Sequence, residues 1–226
     1  MEMTDILQIT GLIRERENGP TVLLIAGREN EATDITRFLP ANVSERMTFL
    51  TCAVGDWDDM LTPWPDETCM KGRRFGGNAG DTLRNIADKL LTGPDCRSRR
   101  PVCIAGYSLA GLFALWCLCE RPDLFTGAVC CSGSLWYPGW QAYAEAHVPS
   151  ADKAVYLSLG DREPRTGHPW LKRSGEAMEY QRGLLDAAGC RNTFVWEQGG
   201  HFNEPEARLA RGIAWITENG FIRNER

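Results

Sequence analysis

The chain has 226 residues, 43% hydrophobic and 24% charged, enough for one sizeable core and ordinary for a globular protein. A net charge of −5 argues against the basic footprint of a nucleic-acid binder, and no apolar run approaches the length of a membrane span. The small cluster Arg97, Arg99 and Arg100 precedes Pro101 and a strand, and reads as a solvated loop.

In chain order, Ile6 to Arg16 reads as an extended strand, and Val22 to Ala26 as a short buried strand ending at Gly27. Glu31 to Leu39 is a predicted helix stopped by Pro40. Thr48 to Val54 is a second buried strand. Asp56 to Gly80 is irregular, rich in Gly, Pro and Trp, and long enough to suggest a functional loop. Asp81 is the expected N-cap of a helix carrying Leu83, Ile86, Ala87, Leu90 and Leu91 on one face, ended by Gly93-Pro94. The apolar run Val102-Cys103-Ile104-Ala105 then enters Gly106-Tyr107-Ser108-Leu109-Ala110-Gly111, and Leu112 to Leu118 leads out as a helix. Gly127 to Cys131 and Ala154 to Leu159 are strands, separated by a short helix, Trp140 to His147. Gly175 to Ala188 is a helix stopped by Gly189, Thr193 to Glu197 a strand, and Pro205 to Asn219 a closing helix with Leu209, Ile213 and Ile216 inward. Strands alternate with helices throughout, with no repeat and no linker. That predicts one domain over residues 1–226: a mainly parallel central sheet with helices on both faces, joined by right-handed crossovers.

In such sheets sites lie beyond the carboxyl ends of the strands. The strand ending at Ala105 carries Ser108 on a sharp turn between small residues, the pattern of a nucleophile elbow with Ala110 in place of its second glycine. The strand ending at Leu159 carries Gly160-Asp161-Arg162-Glu163-Pro164. The strand ending near Glu197 carries Gly199-Gly200-His201-Phe202. The order serine, acid, histidine is that of the α/β-hydrolase arrangement.

A serine hydroxyl needs a base, and an imidazole titrates near working pH. Of the three histidines, His201 sits where a short loop can aim it at the elbow, whereas His147 and His168 read as surface residues. The acid is Glu163 or Asp161. A strand-end aspartate often only forms its own turn, while Glu163 is held extended before Pro164. Glu163 is therefore the first choice, Asp161 the second, and a serine–histidine dyad without either is a third arrangement. For the oxyanion, the amide of Leu109 at the helix start is one expected donor and the amide of Arg28, in the loop after Val22–Ala26, the other. Aromatic residues on strand-end loops suggest an apolar acyl pocket. Trp136 is the leading candidate, with Trp64 and Tyr107 beside it. Ser132 and Ser134 lack an elbow and are not expected to be nucleophiles.

There are nine cysteines, mostly in apolar runs and without CxxC spacing, so no zinc site is expected. Buried free cysteine behaves as a small hydrophobe. With no apolar core of a secretion signal within Met1 to Arg16, a cytoplasmic location is expected.

The segment Gly106-Tyr107-Ser108-Leu109-Ala110-Gly111-Leu112-Phe113-Ala114 resembles the elbow of the putative esterase family of α/β-hydrolases, which includes esterase D-like, feruloyl and enterochelin-type esterases and mycolyl transferases. Ser132-Gly133-Ser134-Leu135-Trp136 resembles the segment after its next strand, Gly160-Asp161-Arg162-Glu163 its acid loop, and Gly200-His201-Phe202 its histidine loop. Leu61-Thr62-Pro63-Trp64 loosely resembles a Thr-Pro segment of siderophore-esterase-like members. The resemblance implies an α/β-hydrolase fold, here without a large cap domain, and favours Glu163 as the acid. It implies cleavage of a small-molecule carboxylic ester through a serine acyl-enzyme, with no metal or cofactor and no nucleic-acid or membrane partner. The alternatives are an acyltransferase using the same acyl-enzyme and a non-catalytic ligand-binding protein on the same scaffold.

Overall fold

The computed structural model describes residues 8–12, 19–27, 31–92 and 102–221. Seven strands form one sheet in the order β1-β3-β2-β4-β5-β6-β7. They are β1 (Gln8–Leu12), β2 (Thr21–Ala26), β3 (Thr48–Ala53), β4 (Val102–Tyr107), β5 (Phe125–Cys131), β6 (Ala154–Gly160) and β7 (Arg191–Glu197). Only β1 runs antiparallel, paired with β3 from Gln8↔Ala53 to Leu12↔Phe49. The other six run parallel, so their carboxyl ends share one edge of the sheet.

The helices are α1 (Glu31–Thr36), α2 (Ala41–Ser44), α3 (Trp57–Met60), α4 (Ala79–Thr92), α5 (Leu109–Glu120), α6 (Trp140–Ala146), α7 (Ser174–Ala187) and α8 (Pro205–Asn219), with a single 3₁₀ turn at Leu171–Arg173. The central strands are buried on both faces and read as continuous apolar runs, as parallel strands do. Their side chains alternate between two cores. Leu23, Ile25 and Ile104 face a core built with Phe113 and Leu115 of α5 and Ile86 of α4. Val22, Leu24 and Ala105 face the opposite core, with Ile213 and Ile216 of α8 and Ile35 of α1. Helix α5 is buried from Leu109 to Leu118, which is why its sequence is apolar all round instead of striped.

Most strand and helix expectations fall within one to three residues of the observed bounds, and α8 coincides with its predicted range. The strand expected over Ile6 to Arg16 is described only as Gln8–Leu12. The Gly93-Pro94 stop and the Arg97, Arg99, Arg100 cluster lie outside the described residues.

One expectation is corrected. Asp81 is not the N-cap of α4, because the helix begins at Ala79 and the Asn78 carbonyl accepts from the amides of Asp81 and Thr82. Asp81 instead sits in the first turn, where its charge favours the helix dipole. The segment from Asp56 to Gly80 is irregular, as expected, apart from the short helix α3 and the first residues of α4. Asp56 caps α3 by accepting from the Asp59 amide at 3.1 Å. The Asp66 carboxylate accepts from the amides of Thr68 and Cys69, each at 2.8 Å, and Phe75 is buried against Tyr137. Polar turn residues and one buried aromatic thus hold a segment with little regular structure. Among the described residues no insertion forms a cap layer, and no helix is long and apolar enough to cross a membrane.

Candidate active site

Strand β4 reaches the shared edge and delivers Ser108 on a tight turn into α5. Its backbone is at φ 58, ψ −122, a region that non-glycine residues occupy at a cost of about 1–3 kcal/mol. The turn closes because position 106 has no side chain. A Cβ there would lie 2.1 Å from the Ala110 carbonyl oxygen, so Gly106 is the position at which the strand and the helix meet. Position 110 tolerates alanine, whose methyl is fully buried.

Ser108 Oγ lies 3.1 Å from His201 Nε2, and His201 Nδ1 lies 2.7 Å from Glu163 Oε2. The three residues come from the ends of β4, β7 and β6. Glu163 is 8% exposed at its side chain, and its second oxygen is saturated. Oε1 accepts from the Gly160 amide at 2.7 Å, from Ser132 Oγ at 2.7 Å and from Arg208 Nη1 at 3.2 Å. Burial pushes this carboxyl up, but the hydrogen bonds from His201, Ser132 and the Gly160 amide outweigh it and hold the carboxyl below its ordinary range.

That direction sets a pH dependence. The folded carboxyl titrates below its unfolded value of about 4.3, so it contributes stability above that pH, and the contribution is lost as pH falls through the folded value. Glu163→Gln is therefore expected to flatten the acid side of a Tm-against-pH curve below the ordinary carboxylate range. An unchanged acid limb in the variant would show that the carboxylate is not held in this way.

Asp161, the second choice for the acid, is turned away from the histidine. Its Oδ1 accepts from the Gly199 amide at 2.7 Å, while its own amide donates to Glu197 O at 2.8 Å. It ties the acid loop to the histidine loop. Close contact between these loops also requires Gly160, where a Cβ would lie 2.4 Å from Gly199 O.

Arg208 of α8 is a site residue that the sequence did not reveal. It is 1% exposed. Its Nη1 reaches the Tyr107 hydroxyl at 3.1 Å, Ser132 Oγ at 3.2 Å and Glu163, and its Nη2 donates to Gln198 O at 3.0 Å and Gly200 O at 3.1 Å. Ser132 also belongs to this network, at φ 44 and 2.9 Å from the Tyr107 hydroxyl. The sequence does not assign Ser132 this hydrogen-bonding role. The one available signal was its place at the end of the strand beside the elbow strand.

Tyr107 and Trp136 line a cavity of about 650 Å³ that Ser108 and His201 also line, with Trp57, Met70, Phe75 and Phe202 as further walls. The Tyr107 hydroxyl, however, donates inward to His201 O at 2.7 Å, and burial pushes it up to about 12. Only the tyrosine ring side is presented to the cavity. Trp64 does not line the cavity. Its indole donates to Pro138 O at 2.7 Å, the Tyr137 hydroxyl donates to Trp64 O at 2.7 Å, and its ring packs on Tyr137 and Tyr143. It fastens the segment after α3 to the segment after β5. Leu109 opens α5, so its N–H has no acceptor within the helix, and it lines the cavity beside Ser108. Arg28 lies outside the described residues. The Gly27 amide that precedes it donates to Glu31 Oε2 at 3.1 Å.

The buried cysteines among the described residues do not compete for the chemistry. Burial pushes the thiols of Cys52, Cys103 and Cys131 up to about 12, which leaves them protonated and inert. Among the described residues no group of three or more His, Cys, Asp or Glu side chains is placed to hold a metal ion.

A parallel sheet of this order, with a strained serine between its central strand and a buried helix, defines an α/β-hydrolase. Residues 84–192 match the family model described as putative esterase. The match spans Ser108 and Glu163, with His201 beyond it. Among solved structures, the siderophore hydrolase EstA from Aspergillus nidulans superposes with a TM-score of 0.66 at 19% identity, covering 96% of this chain and 95% of its own. An IroE-like serine hydrolase from Shewanella oneidensis gives 0.70 at 17% identity, covering 89% of this chain and 71% of its own. An enterochelin esterase from Shigella flexneri gives 0.60 at 19% identity, covering 92% of this chain and 53% of its own. At these identities the likeness is one of fold. No curated protein matches the chain.

Proposed function

We propose that the protein is a serine carboxylic ester hydrolase acting on a small-molecule ester, with residues 1–226 forming one α/β-hydrolase domain. The observation that carries this reading is the continuous relay from Ser108 Oγ through His201 to Glu163, at 3.1 and 2.7 Å. Ser108 Oγ attacks the ester carbonyl as His201 Nε2 takes its proton. Glu163 Oε2 accepts from Nδ1–H, which fixes the tautomer and stabilises the imidazolium. The developing oxyanion receives the Leu109 N–H and, in this reading, the Arg28 N–H. His201 then returns the proton to the leaving alkoxide, breaking the C–O bond and leaving an acyl-serine. Water, deprotonated by His201, releases the acid and restores the serine. The chain has nine cysteines, and seven of the eight among the described residues are buried without a disulfide, which suits a reducing compartment; the cytoplasm is the proposed location.

A fluorophosphonate probe is the direct test. One adduct per chain is expected, on the peptide containing Ser108, with parallel loss of hydrolysis of short acyl esters. Wild-type protein that takes no label and is inactive on a broad ester panel would overturn the reading.

A further inference from the structure

The loop that delivers the acid also carries two arginines. In Asp161-Arg162-Glu163-Pro164-Arg165 the turn closes with the Glu163 amide donating to Gly160 O and the Arg165 amide to Arg162 O, each at 3.0 Å. This turns Glu163 inward toward His201 and leaves Arg162 and Arg165 exposed. Both line the 650 Å³ cavity beside the serine. A third arginine on its wall, Arg73, is accounted for. It is bonded through Nε to Asp58 at 2.9 Å and lies over the Phe75 ring. The acid lining the cavity is Glu163, whose oxygens are already taken up by His201, Ser132, the Gly160 amide and Arg208. Arg162 and Arg165 have no acidic partner among the described residues.

Two uncompensated guanidiniums at the mouth of the catalytic cavity stand out in a chain whose net charge is −5. A general solubilising role would favour the opposite sign, and a purely hydrophobic acyl pocket has no use for them. We propose that this cavity selects esters bearing an anionic group, a carboxylate or an equivalent oxyanion, which Arg162 and Arg165 bind while the aromatic walls hold the remainder. The inference rests on the hydrolase reading above and adds the substrate's charge to it. Guanidinium is suited to the task because its planar fork meets a carboxylate with two parallel hydrogen bonds. A cationic cleft mouth also raises the local concentration of anionic substrate.

The test uses ester pairs differing by one charge. On the alcohol side these are 4-acetoxybenzoate and its methyl ester; on the acyl side, 4-nitrophenyl hydrogen adipate and 4-nitrophenyl methyl adipate. In at least one pair kcat/KM is expected to favour the anion by about tenfold at low salt. The preference should collapse toward parity in 0.5 M salt and in Arg162→Gln/Arg165→Gln, and should be partly kept by the two lysine substitutions. Arg182→Gln, which removes a charge paired with Glu179 on α7, should keep it. Parity in both pairs for the wild type, or a preference that survives the double glutamine variant, overturns the inference.

A binding arm separates its failure from that of the hydrolase reading. The amide 4-acetamidobenzoate and its methyl ester are titrated against tryptophan fluorescence, since Trp57 and Trp136 line the cavity. Tighter binding of the anion without turnover of any ester sinks the hydrolase reading and keeps the charge selection. Equal binding together with parity in the acyl-side pair sinks the charge selection.

Discussion

Replacing Ser108 with alanine is expected to lower kcat for ester hydrolysis by about 10⁴-fold or more, with no loss of stability. Nothing in the fold rests on its hydroxyl except the 3.1 Å contact with His201. The backbone of residue 108 does the structural work: its carbonyl accepts from the amides of Gly111, Leu112 and Ser134, and its own amide donates to Cys131 O. Those bonds survive any side chain. Ser108→Gly separates the two roles further. Glycine occupies φ 58 without the steric penalty borne by serine, so this variant should lose activity to the same extent while gaining about 1–2 kcal/mol, several degrees in Tm for a chain of this size. A stabilised, inactive Ser108→Gly protein would show directly that the elbow stores strain for function. A variant no more stable than wild type would show that the serine carries no strain.

Arg208→Met is expected to be the most damaging change away from the serine. It removes one of the charges that compensate the buried Glu163 carboxylate and strands the carbonyls of Gln198 and Gly200. Breaking a buried ion pair from one side costs about 3–5 kcal/mol, or roughly 10 °C in Tm. Activity should fall with it, because the same side chain fixes both the acid and the backbone of the histidine loop. A double-mutant cycle with Glu163→Gln tests the cause. The pair of changes together should cost less than their sum, since a neutral glutamine no longer needs the cation. Strict additivity would mean that Arg208 acts only through packing and its backbone contacts.

The candidate nucleophile, base and acid were legible in the sequence because each stands just past the end of a short apolar run and within three residues of a glycine. That conjunction depends on local chemistry and chain order, both readable without coordinates. Arg208 was not legible for the opposite reason. It lies among the polar residues of an amphipathic helix, one place before Leu209, where a cation ordinarily meets water. Only the approach of α8 to β4, β5 and β6 turns it inward. Trp64 misled in the same way. Its place in a long aromatic loop suggested ligand contact, whereas tertiary contacts with Pro138 and Tyr137 use both its indole N–H and its carbonyl. Asp81 has the chemistry of an N-cap, but the helix starts two residues earlier, at Ala79, with the Asn78 carbonyl at its head. What separates Asp161 from Glu163 as the candidate acid is side-chain direction, which a four-residue turn decides and composition does not.

The ties between the acid and histidine loops have a mechanical consequence. Asp161 to Gly199, Arg162 to Gly199, and Arg208 to Gln198 and Gly200 make these two loops one stiff body. The serine belongs to another, built from β4 and α5, and the bond from the Tyr107 hydroxyl to His201 O spans the seam between them. Compliance in this centre is therefore concentrated in the gap between Ser108 and His201. The gap between His201 and Glu163 lies within a single body, so the chain of contacts from Ser108 through His201 to Glu163 would come apart at Ser108 first.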